Sequence, residues 1–123
     1  MKALVVDDSA VMRKVLIGAL SRANITDVDQ AADGAEAVQK VQENDYDIIL
    51  LDWNMPNMLG IDALKAIRAM GKTMPIIMVT TEAEKSRVLE ALKAGATNYV
   101  IKPFEPNTII GKIQEVLSKA KAQ

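Results

Sequence analysis

Short apolar runs recur along this chain, and segments with helical periodicity separate them. Each run ends at polar or turn-forming residues, and its continuous apolar character is typical of a strand buried on both faces of a sheet. The clear runs are Ala3-Leu4-Val5-Val6, Ile48-Ile49-Leu50-Leu51, Ile76-Ile77-Met78-Val79 and Tyr99-Val100-Ile101. Weaker alternation around Val28 predicts a fifth strand, from Asp27 to Ala31, at an exposed edge.

Apolar residues at helical spacing occupy the segments between the runs. The predicted helix faces are Met12, Val15, Leu16, Ala19 and Leu20; Ile61, Leu64, Ile67 and Met70; and Ile109, Ile110, Ile113, Val116, Leu117 and Ala120. Two further helices are predicted from Gly34 to Glu43 and from Ser86 to Ala94, and Lys119 to Gln123 are expected to fray. Alternating strands and helices favour the α/β class, with a doubly wound parallel sheet of five strands and five helices.

Composition limits the classes of function. The 123 residues fit one domain, residues 1–123, and 15 basic against 16 acidic residues give a net charge of -1. Because these charges are spread along the chain, we expect no direct nucleic-acid binding.

No apolar run approaches the ~20 residues that span a bilayer, so we expect no membrane insertion and a cytoplasmic location. Cysteine and histidine are both absent, which leaves carboxylate, hydroxyl and lysine chemistry.

Polar side chains follow four of the predicted strands, at the sheet edge where open α/β folds bind ligands. They are Asp7, Asp8, Asp52, Thr80, Thr81 and Lys102. Each has a simpler explanation as a helix cap or turn residue. Capping explains neither the adjacent aspartates nor a third one directly after a strand.

Three carboxylates beside one lysine leave an excess of negative charge, which a bound cation would compensate. Oxygen ligands in a chain without histidine or cysteine favour Mg²⁺, with Mn²⁺ as the alternative. Such a site is typical of phosphoryl chemistry, in which Asp52 can act as the nucleophile. Lys102 and the Thr80 hydroxyl can then stabilise charge on the phosphoryl oxygens.

These residues, in this order, resemble the five-position signature of the receiver domains of two-component response regulators. Within that family the chain is most similar to stand-alone chemotaxis receivers of the CheY type. The matching segments are Asp52-Trp53-Asn54-Met55-Pro56-Asn57-Met58, Ala94-Gly95-Ala96, Tyr99-Val100 and Lys102-Pro103-Phe104. The chain departs from the family's usual pattern at Leu59, where an acidic residue is common, and at Thr81, where alanine is frequent.

The resemblance implies a flavodoxin-like sheet of order 2-1-3-4-5 and Asp52 as the phosphorylation site. It implies Mg²⁺ bound by Asp8, Asp52 and the Asn54 backbone carbonyl, with Asp7 assisting through water. It further implies a cis bond before Pro103.

The resemblance also implies a switch in which phosphorylation draws Thr80 inward and Tyr99 follows; a static core role for Tyr99 is the alternative. Asn54 and Glu82 would tune dephosphorylation, which we expect to be relatively rapid. Trp53 is expected at the edge of the site.

The expected partners are a sensor histidine kinase of the CheA type and a target such as a flagellar motor switch protein or a phosphatase. These partners would bind the face formed by helix 4, strand 5 and helix 5. The protein is expected to be a monomer. Such a protein is not a conventional enzyme, although it catalyses its own phosphorylation and dephosphorylation. Alternatives are a receiver or relay intermediate of another pathway, a receiver that has lost its chemistry, or a haloacid dehalogenase-type phosphohydrolase.

Overall fold

The computed structural model describes residues 1–121, within which five strands alternate with five helices. The strands are β1 (Lys2–Val6), β2 (Asp27–Ala31), β3 (Ile48–Leu51), β4 (Ile76–Thr80) and β5 (Asn98–Ile101). The helices are α1 (Ala10–Arg22), α2 (Gly34–Glu43), α3 (Gly60–Ala69), α4 (Lys85–Lys93) and α5 (Pro106–Lys121). The expected frayed tail is helical as far as Lys121, and its last two residues lie outside the described part of the chain.

The strands form one parallel sheet of order β2-β1-β3-β4-β5, which confirms the predicted fold class. β1 lies next to the edge strand β2. The chain runs from β1 outward to β2 and then returns past β1 to β3. This reversal between β1 and β3 creates the position where ligands bind in doubly wound sheets. The register pairs Val6 with Leu51, so the segments after β1 and β3 leave the sheet side by side.

Successive side chains of each strand point to opposite faces of the sheet, so each apolar run supplies two cores. On one face, Leu4, Ile49 and Met78 pack beneath α2, α3 and α4. On the other face, Val5 and Leu50 pack beneath α1 and α5. This arrangement is why the runs are apolar throughout and do not alternate.

The starts of α1 and α2 follow from local capping residues. Ser9 accepts a hydrogen bond from the Met12 amide at 3.2 Å, and Asp33 accepts one from the Glu36 amide at 2.8 Å. Each cap ends the loop that follows a strand, and this fixes where the loop residues lie. No helix within residues 1–121 has the length and apolar character needed to cross a membrane.

Two predicted helix-face residues are exposed. Val15 is 46% exposed, although Leu16, Ala19 and Leu20 of the same helix are in the core. Val15 precedes Leu16 by about 100° of rotation around the helix, which places it outside the stripe that faces the sheet. Ala120, near the end of α5, is also exposed. Both residues share a predicted helix face with core residues but lie outside the core.

Candidate functional site

The polar residues predicted from the strand ends lie together at one edge of the sheet. Asp7 and Asp52 directly follow β1 and β3, Thr80 is the last residue of β4, and Lys102 directly follows β5. Their backbones are tied into the sheet: the Asp52 amide donates to the Val6 carbonyl, and the Lys102 amide donates to the Thr80 carbonyl. The sheet itself therefore positions these groups.

Three carboxylates form the centre of the site. Asp7, Asp8 and Asp52 each offer one oxygen atom, and these atoms lie within 4.8 Å of one another. Asp7 and Asp52 are buried, with 1% and 6% exposure, whereas Asp8 is exposed. The cluster thus has two ligands fixed in the protein and one that faces solvent.

Lys102 supplies the nearest positive charge. Its Nζ lies 2.7 Å from Asp7 Oδ2 and 3.4 Å from Asp52 Oδ2, and its side chain is only 13% exposed. The ammonium bridges two carboxylates that belong to different strands. Its shorter contact is with Asp7, so Asp52 is the less neutralised of the two.

The Asp52 carboxylate is held by a hydrogen bond, and its pKa is raised. Its Oδ1 accepts a hydrogen bond of 2.7 Å from the Trp53 amide. Burial raises the pKa of Asp52, and the neighbouring Asp7 carboxylate adds to this rise. Lys102, the Thr80 hydroxyl and the Trp53 amide oppose the rise without reversing it. A further cation in the cluster would therefore favour the ionised, nucleophilic form.

The donor set fits a hard divalent cation. Three carboxylates face one ammonium, which leaves an excess of negative charge at close range. All the candidate ligands are oxygen atoms, and the exposed side of Asp8 leaves room for water. These properties match Mg²⁺, which keeps several waters and is held by few carboxylates.

A second group of predicted residues surrounds Glu82. The buried Thr80 Oγ1 accepts from the Glu82 amide at 3.3 Å, and Asn54 Nδ2 donates to Glu82 Oε1 at 3.2 Å. The Tyr99 hydroxyl donates to the Glu82 carbonyl at 2.6 Å. Thr81 is exposed, whereas Thr80 is fully buried. The structure therefore brings Asn54, Thr80, Glu82 and Tyr99 together next to the carboxylates.

Trp53 does not lie at the edge of the site, as the sequence had predicted. Its ring is 2% exposed and belongs to the core beneath α4, where the Arg87 guanidinium lies 5.5 Å from the ring centroid. Only its backbone touches the site, through the amide that binds Asp52. Leu59, by contrast, is 43% exposed. The Lys102-Pro103 peptide bond is cis.

Sequence reasoning missed two residues of the site. The Ser9 amide donates to Asp7 Oδ1 at 2.9 Å, and Arg13 Nη1 donates to the Asp7 backbone carbonyl at 2.7 Å. A signal for Arg13 was present, because a cation near the start of a helix is unfavourable in the field of the helix dipole. Ser9 gives no comparable signal, because a serine before a helix is explained by capping alone.

A family model, described as the response regulator receiver domain, matches residues 3–114. The chain belongs to the receiver family. The receiver domain is similar to chemotaxis protein CheY1 of Helicobacter pylori strain J99, with 48% identity over 95% of this chain and 97% of the relative. It is also similar to a CheY homolog of Campylobacter jejuni, with 44% identity over the full chain and 97% of the relative.

Solved structures agree with this assignment. The receiver domain resembles a chain in the CheX-CheY-BeF3-Mg complex from Borrelia burgdorferi, with a TM-score of 0.90 and 31% identity. The match covers 94% of this chain and 88% of that one.

Proposed function

We propose that this receiver domain is a phosphorylation-activated switch of a two-component system, with Asp52 as the phosphoacceptor. One observation carries the proposal: the buried Asp52 carboxylate lies in a cluster with Asp7 and Asp8, at 3.4 Å from the Lys102 ammonium. In this proposal the three groups act as nucleophile, cation ligands and positive charge around one point at the sheet edge.

In the proposed reaction an Asp52 carboxylate oxygen attacks phosphorus. The bond from phosphorus to the donor breaks, and its electron pair leaves with the donor, which is a phosphohistidine nitrogen or an acyl oxygen. Lys102 can then exchange its contact with Asp52 for one with the phosphoryl oxygens, because its 3.4 Å contact is the weaker of its two. The Thr80 hydroxyl, at the end of the neighbouring strand β4, can also bind a phosphoryl oxygen.

Mg²⁺, or alternatively Mn²⁺, would be held by Asp8, Asp52 and the Asn54 carbonyl, with Asp7 assisting through water. When bound, the cation supplies positive charge that neutralises the phosphoryl oxygens and the ionised carboxylates. The chain's own part is to hold Asp7 rigidly and to leave Asp8 open to solvent.

Phosphorylation would act on the group around Glu82. A new phosphoryl oxygen near Thr80 would accept a hydrogen bond from the Thr80 hydroxyl and draw it away from the Glu82 amide, from which the hydroxyl now accepts. The loop that carries Glu82 also holds Tyr99. The change would reach α4, β5 and α5, the proposed output face. Leu92 and Ile101, each 43% exposed on α4 and β5, offer apolar contacts there.

Asn54 and Glu82 would tune dephosphorylation. Their hydrogen bond of 3.2 Å lies beside the Asp52 site, and it can hold a water molecule or obstruct its path. We propose relatively rapid self-dephosphorylation. A phosphorylated form that survives for many hours in Mg²⁺ would contradict this.

Similarity to CheY proteins supports a role in chemotaxis. We propose a CheA-like histidine kinase as the phosphodonor, and a flagellar motor switch protein or a phosphatase as the reader. The Borrelia burgdorferi complex joins a CheY to CheX, which supports a protein partner that binds the receiver directly. The working form would be a cytoplasmic monomer, with residues 1–123 as a single domain. A receiver or relay intermediate in another pathway is the alternative.

Incubation with acetyl phosphate and Mg²⁺, followed by intact-mass measurement, tests the proposal. We expect one added phosphoryl group in the wild type and in Asp62→Asn, an exposed aspartate on α3 that serves as the matched control. Asp52→Asn should not be labelled. Equal labelling of Asp52→Asn would reject Asp52 as the phosphoacceptor.

Multiple-turnover hydrolysis of a phosphomonoester would instead favour a phosphohydrolase, and no Mg²⁺ binding at millimolar concentration would favour a receiver that has lost its chemistry.

A further inference from the structure

Arg13 links three elements at the acidic end of the sheet. It lies in the first turn of α1, and its Nη1 donates to the Asp7 backbone carbonyl at 2.7 Å. Its Nε donates to Gln30 Oε1 at 2.9 Å, and Gln30 belongs to the edge strand β2. The guanidinium is planar, so two bonds in its plane fix the direction in which it holds the carbonyl.

The orientation of the Asp7 carbonyl affects the position of Asp8, because that carbonyl belongs to the peptide unit that joins the two residues. The Asp7 carboxylate is already held by the Ser9 amide and by Lys102, and the Asp7 amide donates to the Ala31 carbonyl. The carbonyl that Arg13 binds belongs to the peptide unit between Asp7 and Asp8. Rotation of that peptide would swing the exposed Asp8 away from Asp7 and Asp52.

We infer that Arg13, supported by Gln30, is a positioning residue for the divalent-cation site. It fixes the Asp7-Asp8 peptide so that the three carboxylates converge. Arg13 is neither a ligand nor a catalytic residue in this role. The inference rests on the proposed function, because it takes the carboxylate cluster to be the cation site.

The charge of Arg13 and its hydrogen-bond geometry predict opposite effects on Mg²⁺ binding, so variants of Arg13 can distinguish the two. A guanidinium close to a cation site repels the cation, so its removal would tighten binding if charge were its only effect. Loss of the hydrogen bond to the Asp7 carbonyl would weaken binding. Arg13→Lys keeps the charge and loses the planar pair of donors, Arg13→Met loses both, and Gln30→Ala keeps Arg13 but removes its support.

Calorimetric titration of the full chain with MgCl₂, without any phosphodonor, provides the first test. We expect Arg13→Lys to bind Mg²⁺ about tenfold more weakly, the lower end of what loss of an outer-sphere partner does to metal sites. Arg13→Met should also bind more weakly than the wild type, and Gln30→Ala should show a smaller loss in the same direction. Arg22→Lys, at the other end of α1, is the matched control and should bind as the wild type does.

Hydrogen exchange of the Ser9 amide, measured by NMR in EDTA, gives a second reading that needs no metal. We expect faster exchange in Arg13→Lys and Gln30→Ala, because the loop that holds the Ser9-Asp7 hydrogen bond is released. Unchanged exchange, or Mg²⁺ binding by Arg13→Met that equals or exceeds the wild type, would overturn the inference. If the wild type itself neither binds Mg²⁺ nor accepts phosphate, the proposed function fails instead. Gln30 is exposed, so Gln30→Ala keeps the test available even if the Arg13 variants do not fold.

Discussion

The Tyr99 hydroxyl donates a hydrogen bond of 2.6 Å to the backbone carbonyl of Glu82. The donor is on β5, within the proposed output face, and the acceptor is in the loop that follows Thr80. The bond exists only while the phenol is protonated and its ring lies against this loop. It therefore joins the loop beside the site to the proposed output face, and the switch role of Tyr99 stays a prediction.

Both tyrosines should resist ionisation. Burial, with Glu82 and Asp52 nearby, raises the pKa of Tyr99 to about 12, and burial raises the pKa of Tyr46 as well. Absorbance of tyrosinate near 295 nm should stay low at pH 10.5 in the native protein, and should be more than half developed in urea. A native titration with a midpoint near pH 10 would contradict this.

The same shift makes stability depend on pH. The native state keeps the Tyr99 proton more tightly than the unfolded chain does, so this stabilisation is complete below about pH 10. It is lost progressively as the pH rises to about 12, where native Tyr99 ionises. Urea midpoints measured across this window should fall less steeply in Tyr99→Phe than in the wild type.

Lys102→Met should destabilise the fold by about 3 kcal/mol in EDTA, because it leaves the buried Asp7 and Asp52 carboxylates without their cation. The loss should shrink in millimolar Mg²⁺, which can replace the missing charge. Urea unfolding under both conditions measures it. Lys119→Met is the control: its pair with Glu115 is exposed, so its effect should be below about 0.5 kcal/mol. Equal losses in the two variants would refute this account.

Gly60→Ala should be costly, because a β-carbon there would overlap the Asp52 backbone carbonyl. We expect about 1–3 kcal/mol of destabilisation, with slower phosphorylation, since the loop between Asp52 and α3 must shift. Gly18 in α1 has open space around the same position, so Gly18→Ala should stabilise the protein by about 0.5–1 kcal/mol. Thermal unfolding of both variants gives the comparison, and the same sign of change in both would contradict it.

Arg87→Gln should loosen α4 against the core. The Arg87 guanidinium lies over the ring of Trp53, the single tryptophan, and we expect its removal to cost about 0.5–1 kcal/mol. Acrylamide should quench Trp53 fluorescence more readily in Arg87→Gln than in the wild type. Arg22→Gln should leave quenching unchanged. Equal quenching in all three proteins would show that Arg87 does not shield the ring.

Much of the fold could be predicted, because each strand carries its own signal. A strand buried on both faces must be apolar at every position, and the runs of β1, β3 and β4 met this condition. The run of β5 is apolar too, but β5 is an edge strand and its Ile101 is 43% exposed, so the prediction of burial on both faces was wrong there. Helix faces were less certain. The 3.6-residue period defines which residues share a side, but the width of the buried stripe depends on the neighbouring helices, and Val15 lies outside it.

The sequence by itself determined which chemical groups reach the site, because polar residues that follow parallel strands emerge at one edge of the sheet. It thereby placed Asp7, Asp52, Thr80 and Lys102 there. Only the tertiary structure decided how those groups pair. The closest partner of Lys102 is Asp7, 95 residues away, and Trp53 turns its ring into the core beneath Arg87. Such choices depend on distances of a few ångströms between separate elements, and no local pattern in a chain records them.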